Sequence, residues 1–97
     1  MKILVKNGTI VDGSGSTRYA GNVAIEDALI TAVGQVEGSG FDQVIDAGRM
    51  VVSPGFIDTH SHSDLQVLVN PYIEPKIRQG ITTELLGQDG ISMAPLP

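Results

Sequence analysis

SPGFIDTHSH, residues 53–62, is the stretch of sequence that decides the fold. Pro54 lacks a backbone donor and favours an extended conformation for the residue before it, while Gly55 permits unusual dihedral angles. The chain can therefore pass from one sheet to another at this point. A short apolar strand follows and leads directly into His60 and His62. We predict a domain boundary after Pro54 and a polar site where the next strand ends.

Upstream of this boundary, short apolar segments alternate with turn residues. Six segments are rich in β-branched residues or alternate between apolar and polar residues, which predicts strands. They cover residues 2–6, 9–11, 22–26, 28–33, 43–46 and 50–52. Asn-Gly, Asp-Gly and Gly-Ser clusters between them predict turns. Residues 1–54 are therefore predicted to be all-β.

Downstream of the boundary, the pattern predicts a strand, a helix and a second strand. The strands cover residues 56–58 and 81–86, and the helix covers residues 71–79, with Asn70 as its cap and Gly80 at its end. This order is typical of a βαβ unit with parallel strands. One helix cannot cover both faces of a parallel sheet, so we expect the chain to be part of a longer protein.

Composition excludes several classes of function. The chain has 97 residues, 41% of them hydrophobic and 18% charged, which favours one small folded protein over a disordered segment. A net charge of −5 opposes binding to nucleic acid or to an anionic membrane. There is no cysteine, so disulfides, thiolate zinc sites and cysteine nucleophiles are excluded. Neither a signal peptide nor a membrane span is recognisable, and we predict a cytoplasmic location.

His60 and His62 are the candidate metal ligands of this sequence. Side chains at positions i and i+2 of an extended segment project to the same face, so both imidazoles can bind one ion. The motif is weak by itself, and two solvated loop histidines are the alternative. The position of the two histidines at a strand end strengthens the metal-site interpretation, because the carboxyl ends of parallel strands are where α/β enzymes place their active sites.

Residues 44–62 (VIDAGRMVVSPGFIDTHSH) resemble the entry into the first barrel strand of the metal-dependent amidohydrolase superfamily. Residues 3–13 (ILVKNGTIVDG) resemble the opening strands of the small β-sandwich that accompanies the barrel in these enzymes. Residues 75–84 (PKIRQGITTE) and 90–95 (GISMAP) are similar to the D-aminoacylase branch, the N-acyl-D-amino-acid deacylases. The resemblance covers nearly the whole chain.

The resemblance implies that residues 1–54 are half of a small β-sandwich and that residues 55–97 begin an incomplete (β/α)₈ TIM barrel. It implies that His60 and His62 bind a divalent metal, zinc in the first instance, which activates a water molecule. The implied substrate is a small N-acyl-D-amino acid. In the family, a further histidine pair and an aspartate general base come from later barrel strands. We therefore expect no general base before Pro97, and we expect the isolated chain to be inactive.

One departure from the family pattern concerns a third ligand. D-aminoacylases commonly have Gly-Asn-Cys-Gly, with the cysteine as a metal ligand, where this sequence has Gly87-Gln88-Asp89-Gly90. A carboxylate can occupy a zinc position, although it is a harder ligand than a thiolate. We expect Asp89 to take the ligand role; the alternative is that Asp89-Gly90 only forms a turn. Asp58 and Asp64 are weaker candidates for orienting an imidazole.

Two alternatives stay open. A cyclic-amide hydrolase related to dihydroorotases and hydantoinases, or a deaminase, would enter its barrel through similar sequence. A small β-rich binding module with an incidental histidine pair is the alternative that is not an enzyme. Such a module would be monomeric, whereas an incomplete barrel would self-associate through its open strand edges.

Overall fold

The structure, a computed structural model, describes residues 1–92 of the chain. The chain divides into two compact units, one comprising Met1–Pro54 and one that begins at Gly55. The end of the GISMAP segment, residues 93–95, lies outside the described residues. Among residues 1–92, no helix has the length and apolar composition needed to cross a bilayer.

The first unit is a single five-stranded sheet. Its strands are β1 (Lys2–Ile10), β2 (Tyr19–Glu26), β3 (Leu29–Gly34), β4 (Gln43–Asp46) and β5 (Val51–Val52). The central strand β1 pairs antiparallel with β2, which pairs antiparallel with β3. On its other edge, β1 pairs parallel with β4 along its first half and with β5 near its end. The all-β prediction for this part of the chain is confirmed.

One long strand replaces two predicted ones. Residues 2–6 and 9–11 were expected to be separate strands, but β1 continues through the Asn-Gly pair by means of a bulge. Asn7 has a φ of 60°, which asparagine tolerates better than most residues. Its backbone N–H donates to Asn22 Oδ1 at 3.0 Å. A side chain therefore satisfies the amide that the bulge removes from the ladder.

The core of the first unit is small. Its buried apolar side chains are Ile10, Val23, Ala24 and Ala47. Many larger apolar side chains on the strands are exposed, and the predicted self-association of the chain stays a prediction. In the second unit, Phe56 is 60% exposed.

The second unit contains the predicted parallel pair. Its elements are β6 (Phe56–Asp58), α1 (Gln66–Val69), α2 (Glu74–Ile77) and β7 (Ile81–Glu84), followed by a 3₁₀ turn (Gln88–Gly90). Strands β6 and β7 are parallel, as predicted. This pairing places the carboxyl ends of both strands, Asp58 and Glu84, side by side.

The helix prediction was only partly right. A helix over residues 71–79 was expected, but α2 covers one turn and α1 was missed. Asn70 does not cap the start of α2: it is the C-cap residue of α1, and its Oδ1 accepts the backbone N–H of Tyr72 in a local turn. Ile73, directly before α2, has a φ of 37°, which prevents helical continuity from Pro71.

Candidate metal centre

The segment after β6 alternates between an inner and an outer side. Ser61 and Ser63 are buried, with exposed fractions of 3% and 8%, whereas His60 and His62 are exposed. Extended backbone explains this alternation, since successive side chains project in opposite directions. The two imidazoles have ring centroids 5.3 Å apart and an interplanar angle of 63°. The structure therefore brings the two histidines together.

Asp89 completes the cluster. Its Oδ2 lies 3.1 Å from His60 Nε2 and 3.1 Å from His62 Nε2. One ligand atom from each of the three residues lies within 4.8 Å of the other two. Two ligands of a tetrahedral zinc ion, each bonded at ~2.0–2.1 Å, are about 3.3 Å apart. Both separations from Asp89 lie close to this value, so the spacing is compatible with a zinc-sized ion; the His60 contact is also a hydrogen-bond distance.

A tight turn brings Asp89 to the histidines. Gly87, Asp89 and Gly90 all have positive φ, of 82°, 56° and 78°. Glycine adopts such angles without strain, and aspartate tolerates them better than most residues. The turn at Asp89-Gly90 is therefore present and places Asp89 beside the imidazoles, while its role as a metal ligand stays a prediction.

Hydrogen bonds tie this turn to the histidine segment. The backbone N–H of Gly87 donates to Asp64 Oδ1 at 3.1 Å, and Gln88 Nε2 donates to Thr59 O at 3.4 Å. Asp64 is 6% exposed, and its other oxygen, Oδ2, has no hydrogen-bond partner among the described residues. Asp64 was a weaker candidate for orienting an imidazole; its observed hydrogen bond is with the turn that carries Asp89.

Behind the histidines lies a charged cluster centred on Lys76. Its Nζ donates to Asp58 Oδ2 at 2.5 Å and to Ser61 Oγ at 3.2 Å, and it lies 3.3 Å from Glu84 Oε1. Ser63 Oγ also donates to Glu84 Oε1, at 3.2 Å. The Lys76 side chain is 29% exposed and that of Glu84 is 13% exposed, so water reaches this cluster only in part.

Asp58 connects the charged cluster to the histidine segment. Its Oδ1 accepts the backbone N–H of His60 at 3.1 Å. The hydrogen bond from Lys76, and then the one from His60, lower the pKa of Asp58, and Asp58 in turn raises the pKa of Lys76. Asp58 was a weaker candidate for orienting an imidazole; its observed contact with His60 is to the backbone N–H. Sequence reasoning missed Lys76, because no local signal connects a lysine on α2 to a strand end 18 residues earlier.

A large cavity on the first unit contains no histidine among the described residues that line it. A cavity of about 770 Å³ lies on the first unit, lined by residues that include Asn7, Asn22 and Arg49. Within residues 1–92, the only group of three or more histidine, cysteine or acidic side chains that could hold a metal ion is His60, His62 and Asp89. All three residues belong to the second unit, so the candidate metal site lies there.

Comparison with known proteins gives a consistent result. No protein-family model matches the chain. N-acyl-D-glutamate deacylase of Alcaligenes xylosoxydans xylosoxydans is 40% identical over 97 residues, which is all of this chain and 20% of that protein. The crystal structure of N-acyl-D-glutamate deacylase from Bordetella bronchiseptica, in complex with zinc and a phosphonate inhibitor, superposes with a TM-score of 0.90. It is 37% identical and matches 98% of this chain and 20% of that one.

The chain is homologous to the N-terminal fifth of the D-aminoacylases. It spans about a fifth of the length of the curated relatives that it matches. The β-rich structure of this chain matches the N-terminal region of amidohydrolase structures. A D-hydantoinase structure is more distant in fold, with a TM-score of 0.55 and 66% of this chain matched.

Proposed function

We propose that this chain is the N-terminal part of a metal-dependent N-acyl-D-amino-acid deacylase, called the parent enzyme below. In this proposal, residues 1–54 form half of a small β-sandwich and residues 55–97 begin a (β/α)₈ barrel. The parallel pairing of β6 and β7 supports the barrel, because parallel strands joined by helices are its repeating unit. The deacylase relatives match the whole chain, whereas the D-hydantoinase matches two thirds of it, which favours linear N-acyl substrates over cyclic amides.

A single observation carries the proposal: one carboxylate oxygen of Asp89 lies 3.1 Å from the Nε2 atoms of both histidines. Three side chains of this kind supply two nitrogens and one oxygen, a combination found in catalytic zinc sites. His60, His62 and Asp89 would hold the ion. The zinc in the related structure from Bordetella bronchiseptica supports this choice of metal.

A bound zinc ion lowers the pKa of a coordinated water and polarises the amide carbonyl of a substrate. The chain itself contributes the ligands and the backbone that orients them. Asp89 stands where D-aminoacylases commonly have cysteine, and a carboxylate is a harder ligand than a thiolate. We therefore propose that this site favours zinc over softer ions more strongly than a cysteine site does.

The general base is proposed to lie on later barrel strands of the parent enzyme. In this proposal the 97-residue chain lacks both that base and the closed barrel that shapes a substrate pocket. The isolated chain is therefore proposed to bind metal weakly and to hydrolyse nothing.

Zinc titration of the 97-residue chain tests the ligand assignment. The variants are His60→Ala, His62→Ala and Asp89→Ala, with Asp27→Ala as a control, since Asp27 is an exposed acidic residue of the first unit. We expect each of the first three variants to lose at least about tenfold in zinc affinity and the control to match the wild type. Equal affinity in the wild type and the double variant His60→Ala/His62→Ala would contradict the assignment.

Hydrolysis by the parent enzyme tests the reaction. We expect zinc-dependent release of the free amino acid from N-acetyl-D-glutamate, much slower release from the L-enantiomer, and no activity in the His60→Ala variant. Faster opening of a hydantoin ring than of any N-acyl-D-amino acid would refute the deacylase proposal in favour of a cyclic-amide hydrolase.

A further inference from the structure

The histidine segment has two chemically different sides. On one side, His60 and His62 meet Asp89. On the other side, Ser61 and Ser63 are buried, and their hydroxyl groups lie 3.4 Å apart. Contacts on the buried side therefore hold the position and direction of the backbone from which both imidazoles project.

Lys76 is the residue that joins the groups on the buried side. Its ammonium group contacts oxygens from the end of β6, the histidine segment and the end of β7, namely those of Asp58, Ser61 and Glu84. An ammonium group has three N–H donors, and this arrangement provides one acceptor for each of them. Lys76 thus links the end of β6 and the adjoining histidine segment to the end of β7.

We propose that Lys76 is a positioning residue that holds His60 and His62 in the geometry needed to bind a metal ion. The inference rests on the proposed function, since it concerns the same site. Lys76 acts on the histidine segment through Asp58 and through Ser61. Asp58 accepts the backbone N–H of His60 with its other oxygen, and Ser61 lies between the two histidines in the chain.

The charges explain why a neutral side chain cannot replace Lys76. Asp58 and Glu84 end adjacent parallel strands and lie against the same ammonium group. Without it, two partly buried carboxylates would face each other at the ends of β6 and β7. Their repulsion, and the loss of the hydrogen bond to Ser61, would separate the strand ends and move the histidine backbone.

The experiment compares the wild-type chain with Lys76→Met, which keeps the length of the side chain, and Lys76→Arg, which keeps its charge. Lys6→Met is the matched control, because Lys6 also contacts a carboxylate, at 3.7 Å from Asp46, but lies in the first unit. Three quantities are measured: zinc affinity by chelator competition, the visible spectrum of bound Co²⁺, and hydrogen exchange of the His60 amide.

We expect Lys76→Met to bind zinc about 10–100-fold more weakly, which is the usual effect of losing a group that orients metal ligands. The Co²⁺ spectrum should change and the His60 amide should exchange faster. Lys76→Arg should recover most of the affinity, and Lys6→Met should match the wild type in all three measurements.

Wild-type affinity, spectrum and exchange in a folded Lys76→Met variant would overturn the inference. If Lys76→Met does not fold, Ser61→Ala decides the matter: a loss of zinc affinity of several-fold supports the inference, and unchanged affinity overturns it. A wild-type chain that binds neither zinc nor Co²⁺ would instead refute the proposed metal site, while faster His60 exchange in Lys76→Met would still show that Lys76 holds the segment.

Discussion

A methyl group added at Gly55 should separate β6 from β7. An alanine Cβ at this position would lie 2.7 Å from Thr82 Cβ and closer still to Thr82 Oγ1 and Cγ2. Phe56 pairs with Ile81 and Ile57 pairs with Thr83, so Thr82 is the extra residue of a bulge. The bulge presses Thr82 against Gly55, the residue directly before β6, which has no side chain.

The size of the effect follows from which atoms can move. Rotation about χ1 of Thr82 can displace Oγ1 and Cγ2, but Cβ is fixed to the backbone. The strands themselves must therefore shift, and we expect Gly55→Ala to destabilise the second unit by about 2–3 kcal/mol, the upper part of the range for overpacking. Thr82→Gly should restore the pairing in the double variant, although it costs about 1 kcal/mol by itself.

Native-state hydrogen exchange measures the loss of stability within the second unit. The amides of Phe56 and Leu85 donate to Gly80 O and Asp58 O, both at 2.8 Å, and report on the second unit alone. A loss of 2 kcal/mol would accelerate their exchange about 30-fold. Less than threefold acceleration in Gly55→Ala would refute the reasoning. So would full rescue by Thr82→Ala, because that substitution keeps the Cβ atom.

Three further predictions concern the first unit, the charged cluster and the ligand set. Gly8→Ala should cost about 1–3 kcal/mol by urea denaturation, because its Cβ would lie 2.6 Å from Val52 Cγ2. The double variant Gly8→Ala/Val52→Ala should be more stable, by at least about 1 kcal/mol, than the sum of the two single effects predicts. Additive effects would contradict the contact between residues 8 and 52. Because the pKa of Asp58 is lowered, its contribution to stability is complete above about pH 4 and is lost as pH falls through the lowered value. Asp58→Asn should therefore flatten the acid limb of the stability curve, and an unchanged slope would argue against the effect. Asp89→Cys should raise the ratio of cadmium to zinc affinity, at a cost of about 1 kcal/mol for a cysteine at positive φ. An unchanged ratio would show that residue 89 does not bind the metal.

Sequence patterns correctly predicted those strands whose local residue pattern favours the same conformation as their tertiary contacts. The strands at residues 43–46 and 56–58 have the predicted bounds, and the second of these pairs in parallel with β7 as expected. The prediction failed where a tertiary contact outweighs a local signal. Asn7-Gly8 resembles a turn, yet β1 continues through it because Asn22 accepts the orphaned amide. The helix predicted over residues 71–79 was too long, because Ile73 adopts a left-handed conformation that no propensity scale anticipates.

The sequence by itself determined that two histidines share one face of an extended segment, since the alternation of side chains is a local property of the backbone. Only the tertiary structure decided what each face meets. Asp89 lies 29 residues from His60, and Lys76 lies 18 residues from Asp58. Both contacts depend on the pairing of β6 with β7 and on the turns that follow it. Such contacts arise from the balance of packing, charge and hydrogen bonding over the whole unit, which no short window of sequence contains.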